Sequence, residues 1–90
     1  MRYRPPSHVR YRVIDGEAIL VNQKAAEVLG LDEVGTRVFE LLSKHGELAT
    51  VIAQLETEFA VDRKTLEQEV QSFVEELCAA GVLEAVSEVP

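Results

Sequence analysis

The chain has 90 residues, a length that fits one compact domain and leaves no room for a second. Its hydrophobic fraction of 47% and charged fraction of 28% are those of a folded globular protein and exclude a disordered one. No apolar run reaches the ~18 residues of a membrane-spanning helix, and no apolar segment follows the first arginines, so we expect no secretory signal. The single cysteine excludes an internal disulfide, and we expect a cytoplasmic protein.

The net charge of −7 is unevenly distributed along the chain. Residues 1–12 carry four arginines and no acid, whereas residues 13–90 carry five basic and sixteen acidic residues, a balance of −11. An acidic body argues against nucleic acid, because affinity for phosphates comes mainly from lysine and arginine. We interpret the basic start as solvated decoration of an edge strand, with an interaction arm as the alternative.

The first third of the chain predicts three strands. Apolar and polar residues alternate over 8–13, the period-two pattern of a half-buried strand. The dipeptide Asp15-Gly16 predicts a hairpin turn, because both residue types tolerate positive φ. A second apolar run at 18–21 and a third at 26–31 complete the predicted sheet.

Residues 32–81 predict three amphipathic helices. Asp32 and Asp62 are good N-caps for the first and third helices, and Gly46 and Gly81 end them. The apolar stripes are Val34, Val38, Phe39, Leu41 and Leu42 in the first helix, Leu48, Val51, Ile52, Leu55 and Phe59 in the second, and Leu66, Val70, Phe73, Val74, Leu77 and Cys78 in the third.

This order of elements predicts an α+β fold of winged helix-turn-helix type, with a three-stranded antiparallel sheet followed by three helices. We expect a single domain over residues 1–90 with its core at about 8–84. The dipeptide Pro5-Pro6 predicts a loose lead-in. Val82 and Leu83 return an apolar pair to the core, and we expect the tail that follows them, up to Pro90, to be frayed.

The sequence contains no pattern typical of catalysis. It has no glycine-rich phosphate loop and no nucleophile motif. His45 precedes the helix-ending Gly46, where a histidine suits the negative helix terminus better than it suits a base. Cys78 lies on an apolar stripe, where a thiol behaves as a small hydrophobe. We therefore expect neither an enzyme nor a cofactor or metal.

Two other classes remain as alternatives. A winged-helix protein could bind nucleic acid, but the third helix carries four glutamates beside its two basic residues and two glutamines. A small structural subunit of an enzyme complex is the other alternative, and no single motif tests it.

Several residues resemble the pattern of the PqqD-like proteins, the peptide chaperones of pyrroloquinoline quinone biosynthesis, and of related RiPP recognition elements (RiPPs are ribosomally made, modified peptides). The resemblance covers about residues 9–84. It is carried by Leu31-Asp32, Val34-Gly35, Val38-Phe39-Glu40-Leu41-Leu42, Gly46, Ile52, Leu55, Phe59, Phe73-Val74, Leu77 and Gly81-Val82-Leu83. The chain departs from the family at Asp32, where asparagine is usual, and in lacking an aromatic residue before Leu31.

The resemblance implies a non-catalytic domain that binds the leader segment of a ribosomally synthesised precursor peptide and delivers it to a modifying enzyme. That enzyme would be a radical SAM enzyme, a leader protease or a cyclase. From the acidic body and the lack of a long apolar run, we expect no nucleic-acid partner and no membrane partner. Monomer and homodimer both remain open.

The resemblance also implies where the leader binds: it adds as a strand to the edge of the third strand and lies against the third helix. The corresponding residues here are Glu27, Val28, Leu29 and Gly30 on the strand and Glu67, Val70, Gln71, Val74 and Cys78 on the helix.

Overall fold

The structure is a computed structural model and describes residues 2–86. Its elements are β1 (Arg2–Arg4), β2 (Val9–Ile14), β3 (Glu17–Asn22), β4 (Glu27–Gly30), α1 (Glu33–His45), α2 (Leu48–Glu58), α3 (Arg63–Ala79) and β5 (Glu84–Val86). The predicted α+β fold, a three-stranded antiparallel sheet followed by three helices, is confirmed.

The three-stranded sheet has the order β2-β3-β4 and is antiparallel throughout. Asp15 and Gly16 form the predicted turn, with φ values of 51° and 80°. The third strand is shorter than predicted, because Ala26 has a φ of 56° and belongs to the preceding turn. One face of the sheet packs on the helices, and Leu20 at the centre of β3 is fully buried there.

Local signals in the sequence fix the ends of the helices. The Asp32 carboxylate accepts a hydrogen bond from the Gly35 N–H at 2.7 Å, and the Asp62 carboxylate accepts one from the Thr65 N–H at 3.2 Å. Each satisfies a backbone donor that the first helical turn leaves without a partner. Both predicted N-caps are therefore confirmed, as is the end of α1 at Gly46, whose φ is 76°.

The helical stripes form the core around Phe39, which is fully buried. One stripe residue was predicted wrongly, since Val34 is 54% exposed. The first turn of α1 instead turns Gly35 and Thr36 toward the sheet, where the Thr36 hydroxyl accepts a hydrogen bond from the Ala18 N–H at 2.7 Å. In the first turn of α1, the hydrogen bond from Ala18 to Thr36 therefore replaces the apolar contact that the sequence pattern predicted for Val34.

The two ends of the described chain pair with each other, which the sequence did not predict. β1 and β5 form a two-stranded antiparallel sheet in which Tyr3 lies opposite Ala85. The Tyr3 side chain is buried in the core, and the Tyr3 backbone N–H donates to the Gly46 carbonyl at 2.9 Å. The predicted loose lead-in is therefore wrong, and so is a frayed tail over residues 84–86. Residues 87–90 of the predicted tail lie outside the described part.

Candidate functional site

The open edge of β4 is the first component of the candidate site. Leu31 donates its N–H to the Ala18 carbonyl of β3 at 2.8 Å. Successive residues of a strand direct their backbone groups to alternate sides, so Leu29 also bonds toward β3. Val28 and Gly30 consequently direct their N–H and C=O groups to the side of β4 where no strand lies among residues 2–86.

The side chains of β4 divide between the two faces of the sheet. Leu29 lies opposite the fully buried Leu20, on the face that packs on the helices, and is itself partly buried. Val28 lies opposite Val21 on the outer face and is 70% exposed. An edge strand with an open backbone and little charge is suited to pairing with another extended chain.

An apolar groove of about 290 Å³ runs between β4 and α3. It is lined by Leu29, Gly30, Leu31, Asp32, Phe73, Glu76, Leu77 and Ala80. Leu29 and Phe73 are partly buried, so each leaves apolar surface that a ligand could cover. The open backbone edge and the groove therefore adjoin along β4.

The position of Phe73 depends on the absence of a side chain at Gly35. A Cβ atom at Gly35 would lie 3.1 Å from the Phe73 Cζ atom and 3.1 Å from the capping oxygen of Asp32. Both distances are tighter than ordinary van der Waals contacts. Gly35 therefore lets the Phe73 ring lie against the first turn of α1, where it forms one wall of the groove.

Asn22 attaches the end of β3 to the end of α3. Its side chain is buried, and its Oδ1 atom accepts hydrogen bonds from the N–H groups of Lys24 and Ala25 at 3.2 and 3.1 Å. Its Nδ2 atom donates to the Ala80 carbonyl at 3.3 Å. One side chain therefore shapes the turn into β4 and holds that turn against the helix that forms the other wall of the groove.

Thr36 fixes the opposite end of β4. Its buried hydroxyl accepts from the Ala18 N–H and contacts the Leu31 carbonyl at 3.4 Å. The end of β4 is thus held between β3 and α1. Sequence reasoning missed the roles of Asn22, Thr36 and Gly35. The one available signal was the polar Asn22 at the end of an apolar run.

The structure places the four predicted strand residues at the open edge, and Leu29 and Gly30 also line the groove. None of the five residues predicted on α3 lines this groove. Those residues are Val70 and Val74, which are buried in the core, Glu67 and Gln71, which are exposed, and Cys78, which is partly buried. The groove uses Phe73, Glu76 and Ala80, on the other flank of the buried stripe.

Two of the residues that line the groove carry carboxylates, Asp32 and Glu76. A second cavity of about 460 Å³ shares Gly30, Leu31 and Asp32 with the groove, and its other lining residues include the acidic Asp15 and Glu17 as well as Ile14 and Ile19. The surface beside the β4 edge therefore combines apolar side chains with several carboxylates.

The described residues outside this site offer little chemistry. Burial raises the pKa of the Cys78 thiol, which disfavours the reactive thiolate. Within residues 2–86, no group of three or more histidine, cysteine, aspartate or glutamate side chains is placed to hold a metal ion. No helix in the same range is long and apolar enough to cross a membrane.

The fold and this site define a structural class, that of small α+β domains with an open sheet edge beside a groove. The profile of the family described as coenzyme PQQ synthesis protein D (PqqD) matches residues 17–83. The chain belongs to the PqqD family, and its predicted identification as a PqqD-like RiPP recognition element is confirmed. PqqD-like proteins that bind leader peptides are generally non-catalytic. No curated protein matches the chain.

Two solved structures are similar over nearly their whole length. TbiB1 in complex with the TbiA(beta) leader peptide has a TM-score of 0.88 and 27% identity, over 94% of this chain and 99% of that one. Lasso peptide synthetase B1 complexed with the leader peptide has a TM-score of 0.84 and 19% identity, over 93% of this chain and 99% of that one. The second likeness supports the fold alone.

Proposed function

We propose that this chain binds the leader segment of a precursor peptide as an added strand on β4 and delivers it to a modifying enzyme. The observation that carries the proposal is the open edge of β4 beside the apolar groove. The leader-bound state of TbiB1, which shares 27% of its residues with this chain, supports the same ligand class.

The backbone of β4 offers enough hydrogen-bonding groups for a short added strand. Val28 and Gly30 each present one donor and one acceptor to the open side. An extended leader satisfies these groups whatever its side chains are, so this part of the interaction contributes affinity without sequence selectivity.

Selectivity comes from the groove. Alternate side chains of an added strand point to the same face as Leu29, and therefore toward Phe73 and the groove. A mostly disordered leader loses conformational entropy on binding, which costs about 2–5 kcal/mol. Burial of an apolar leader side chain between Leu29 and Phe73 offsets this cost. The sequence-based prediction that α3 residues such as Glu67 and Gln71 contact the leader concerns a different face of α3 and stays a prediction.

The carboxylates that line the groove favour a leader that carries a basic residue near its apolar anchor. Glu76 and Asp32 border the groove, and the body of the chain is acidic. We expect leader affinity to fall as the salt concentration rises from low to moderate. An affinity that does not depend on salt would contradict this part of the proposal.

Duplex DNA fits the described surface poorly. Arg63 at the start of α3 is engaged by Glu67 at 2.9 Å and by Glu56 at 3.2 Å, which leaves it less available to phosphates. The exposed surface of α3 is otherwise rich in glutamate. We propose that the chain itself is non-catalytic, in keeping with the family, and that chemistry on the peptide belongs to a radical SAM enzyme, protease or cyclase.

The test is the fluorescence anisotropy of a labelled leader peptide, taken from the precursor gene beside this chain's gene and titrated with the protein. Saturable binding at micromolar or tighter Kd, with a labelled DNA duplex ignored, supports the proposal. Absence of leader binding by the folded protein refutes it.

The site is tested by proline substitutions on the two edges of the sheet. Val28→Pro removes an outward N–H from β4 and should weaken leader binding about tenfold. Val28→Ala keeps the N–H and should bind normally. Val13→Pro on β2 is the matched control. Val13 lies opposite Ala18, and the Ala18 N–H and C=O groups bond to Thr36 and Leu31, away from β2. The pair is therefore not hydrogen-bonded, and Val13 directs its own N–H to the open side of β2. Equal effects of both prolines would refute a site on β4.

A further inference from the structure

The outer face of the three-stranded sheet carries an apolar patch with a basic flank. Residues in register across the strands share this face, and Ile14, Ile19 and Val28 on it are 50%, 41% and 70% exposed. Arg10 and Arg12 lie on the same face, along β2. The solvent face of such a sheet normally carries polar residues, so an apolar set here requires an explanation.

Edge protection accounts for only part of this pattern. Arginines on β2 discourage strand pairing at that edge, as charged edge residues do in many sheets. They do not account for Ile19, which lies on the central strand, or for Val28, which lies on the opposite edge. A cavity of about 300 Å³ on this face is lined by both kinds of residue, including Arg10, Arg12 and Ile19.

The charges of this face are mainly basic: Arg10 and Arg12 lie on it, and Glu17, which lies opposite Ile14, is the one acidic residue that the strand register places there. Neither Arg10 nor Arg12 forms an ion pair within residues 2–86, and Arg10 donates only to the backbone carbonyls of Ser7 and Val9. Residues 13–90 have a balance of −11. A partner that docks here in a fixed orientation would present acidic groups to the two arginines and apolar groups to Ile19.

The patch is continuous with the proposed leader site. Val28 belongs to the outer face through its side chain and to the open edge through its backbone. A leader strand added to β4 would extend this face by one strand, and every second leader side chain would point outward beside Val28. A protein docked on the face would therefore contact the chain and its bound peptide together.

We propose that the outer face, formed by Arg10, Arg12, Ile14, Ile19, Val21 and Val28, is the docking surface for the modifying enzyme, which contacts it through an apolar area bordered by acidic residues. This inference rests on the proposed function, since it assumes that a leader is delivered. A second copy of this chain is a poorer occupant, because two chains of net charge −7 repel and the arginines would add to that repulsion.

The test measures two affinities with the full chain. The first is that of the labelled leader, and the second is that of the purified modifying enzyme encoded beside this chain's gene, measured by biolayer interferometry with leader present. Arg12→Glu and Ile19→Thr should each weaken enzyme binding about tenfold and leave leader affinity unchanged. Arg12→Lys keeps the charge, and Lys64→Glu makes the same charge change on the exposed surface of α3; both should behave as wild type.

The outcomes separate the two proposals. Loss of enzyme binding in Arg12→Glu and Ile19→Thr, with leader affinity intact, supports the docking surface. Unchanged enzyme binding in both variants, or no enzyme binding by the wild type, overturns it while the leader site stands. A wild-type dimer that these variants dissociate would assign the face to a second copy and overturn it as well. Failure of the wild type to bind leader refutes the proposed function first.

Discussion

The two edges of the three-stranded sheet have the same backbone chemistry and different surroundings. β2 is six residues long, and its outer face carries Arg10 and Arg12. β4 is four residues long and lies beside the apolar groove of α3. Both edges present N–H and C=O groups to the outside, so the backbone alone does not select a site. What distinguishes β4 is the neighbouring helix, which supplies Phe73 as an apolar wall.

Each edge also has its own attachment to the core. On β2, the Tyr11 ring meets the buried Phe39 edge-on, with centroids 4.9 Å apart and an interplanar angle of 81°. At one end of β4, Asn22 shapes the preceding turn and donates to the Ala80 carbonyl after α3. At the other end, Thr36 of α1 accepts from the Ala18 N–H of β3 and donates to the Leu31 carbonyl. An aromatic contact therefore supports the charged edge, whereas buried polar contacts position the edge that we assign to the leader.

The largest loss of stability should come from removing the side chain that holds the turn into β4 against α3. Asn22→Ala removes two acceptor contacts in the turn and leaves the Ala80 carbonyl without its side-chain donor. We expect a loss of about 2–3 kcal/mol in the free energy of unfolding. Urea denaturation measures it, and leader affinity measured at a temperature where the variant is folded should fall too. Wild-type stability would show that the turn holds β4 without Asn22.

The groove wall should affect binding more than folding. Phe73→Ala removes the partly buried ring beside Leu29, and we expect leader affinity to fall about tenfold. The free energy of unfolding should fall by about 1–2 kcal/mol, less than for a fully buried phenylalanine. Phe73→Leu is the control that keeps an apolar wall. Normal leader affinity in a folded Phe73→Ala variant would place the leader on another face of α3.

A ring removed from the other edge, on β2, should affect folding more than leader binding. Tyr11→Ala removes the ring contact with Phe39, and we expect a loss of about 1–2 kcal/mol in stability. Leader affinity should stay at the wild-type value, since Tyr11 lies on β2. Anisotropy titration and urea denaturation of the same preparation separate the two quantities. Lower leader affinity in a Tyr11→Ala variant of unchanged stability would reverse the assignment of the two edges.

The smallest effect concerns the helices and neither edge. Arg37 and, secondarily, Gln54 hydrogen-bond the Glu58 carboxylate and lower its pKa to about 2. Because the folded-state pKa lies below the ordinary value of about 4.3, this contribution to stability is present above that value and is lost as the pH falls toward 2. Glu58→Gln should therefore narrow the stability difference between pH 6 and pH 3. An identical pH dependence in both proteins would show that the ion pair contributes nothing.

The sequence predicted most of the fold because most of its signals are local. The Asp15-Gly16 turn, the caps at Asp32 and Asp62 and the helical stripes each depend on residues within a few positions of one another. The edge residues of β4 were also identified, through the resemblance to the family. The predicted contacts on α3 followed a stripe chosen without knowing how the helix is rotated against the sheet, and the groove lies on the other flank of that stripe.

The sequence by itself determined the periodicity, the caps, the acidic body and the family of this protein. Tertiary structure alone decided which flank of α3 faces β4, since Leu29 and Phe73 are 44 positions apart and no local pattern links them. It also decided the pairing of β1 with β5, where Arg4 and Glu84 lie 2.9 Å apart across 80 positions. Both arrangements form only when the helices close on the sheet, because packing of the shared core, and not the local chain, brings these residues near one another.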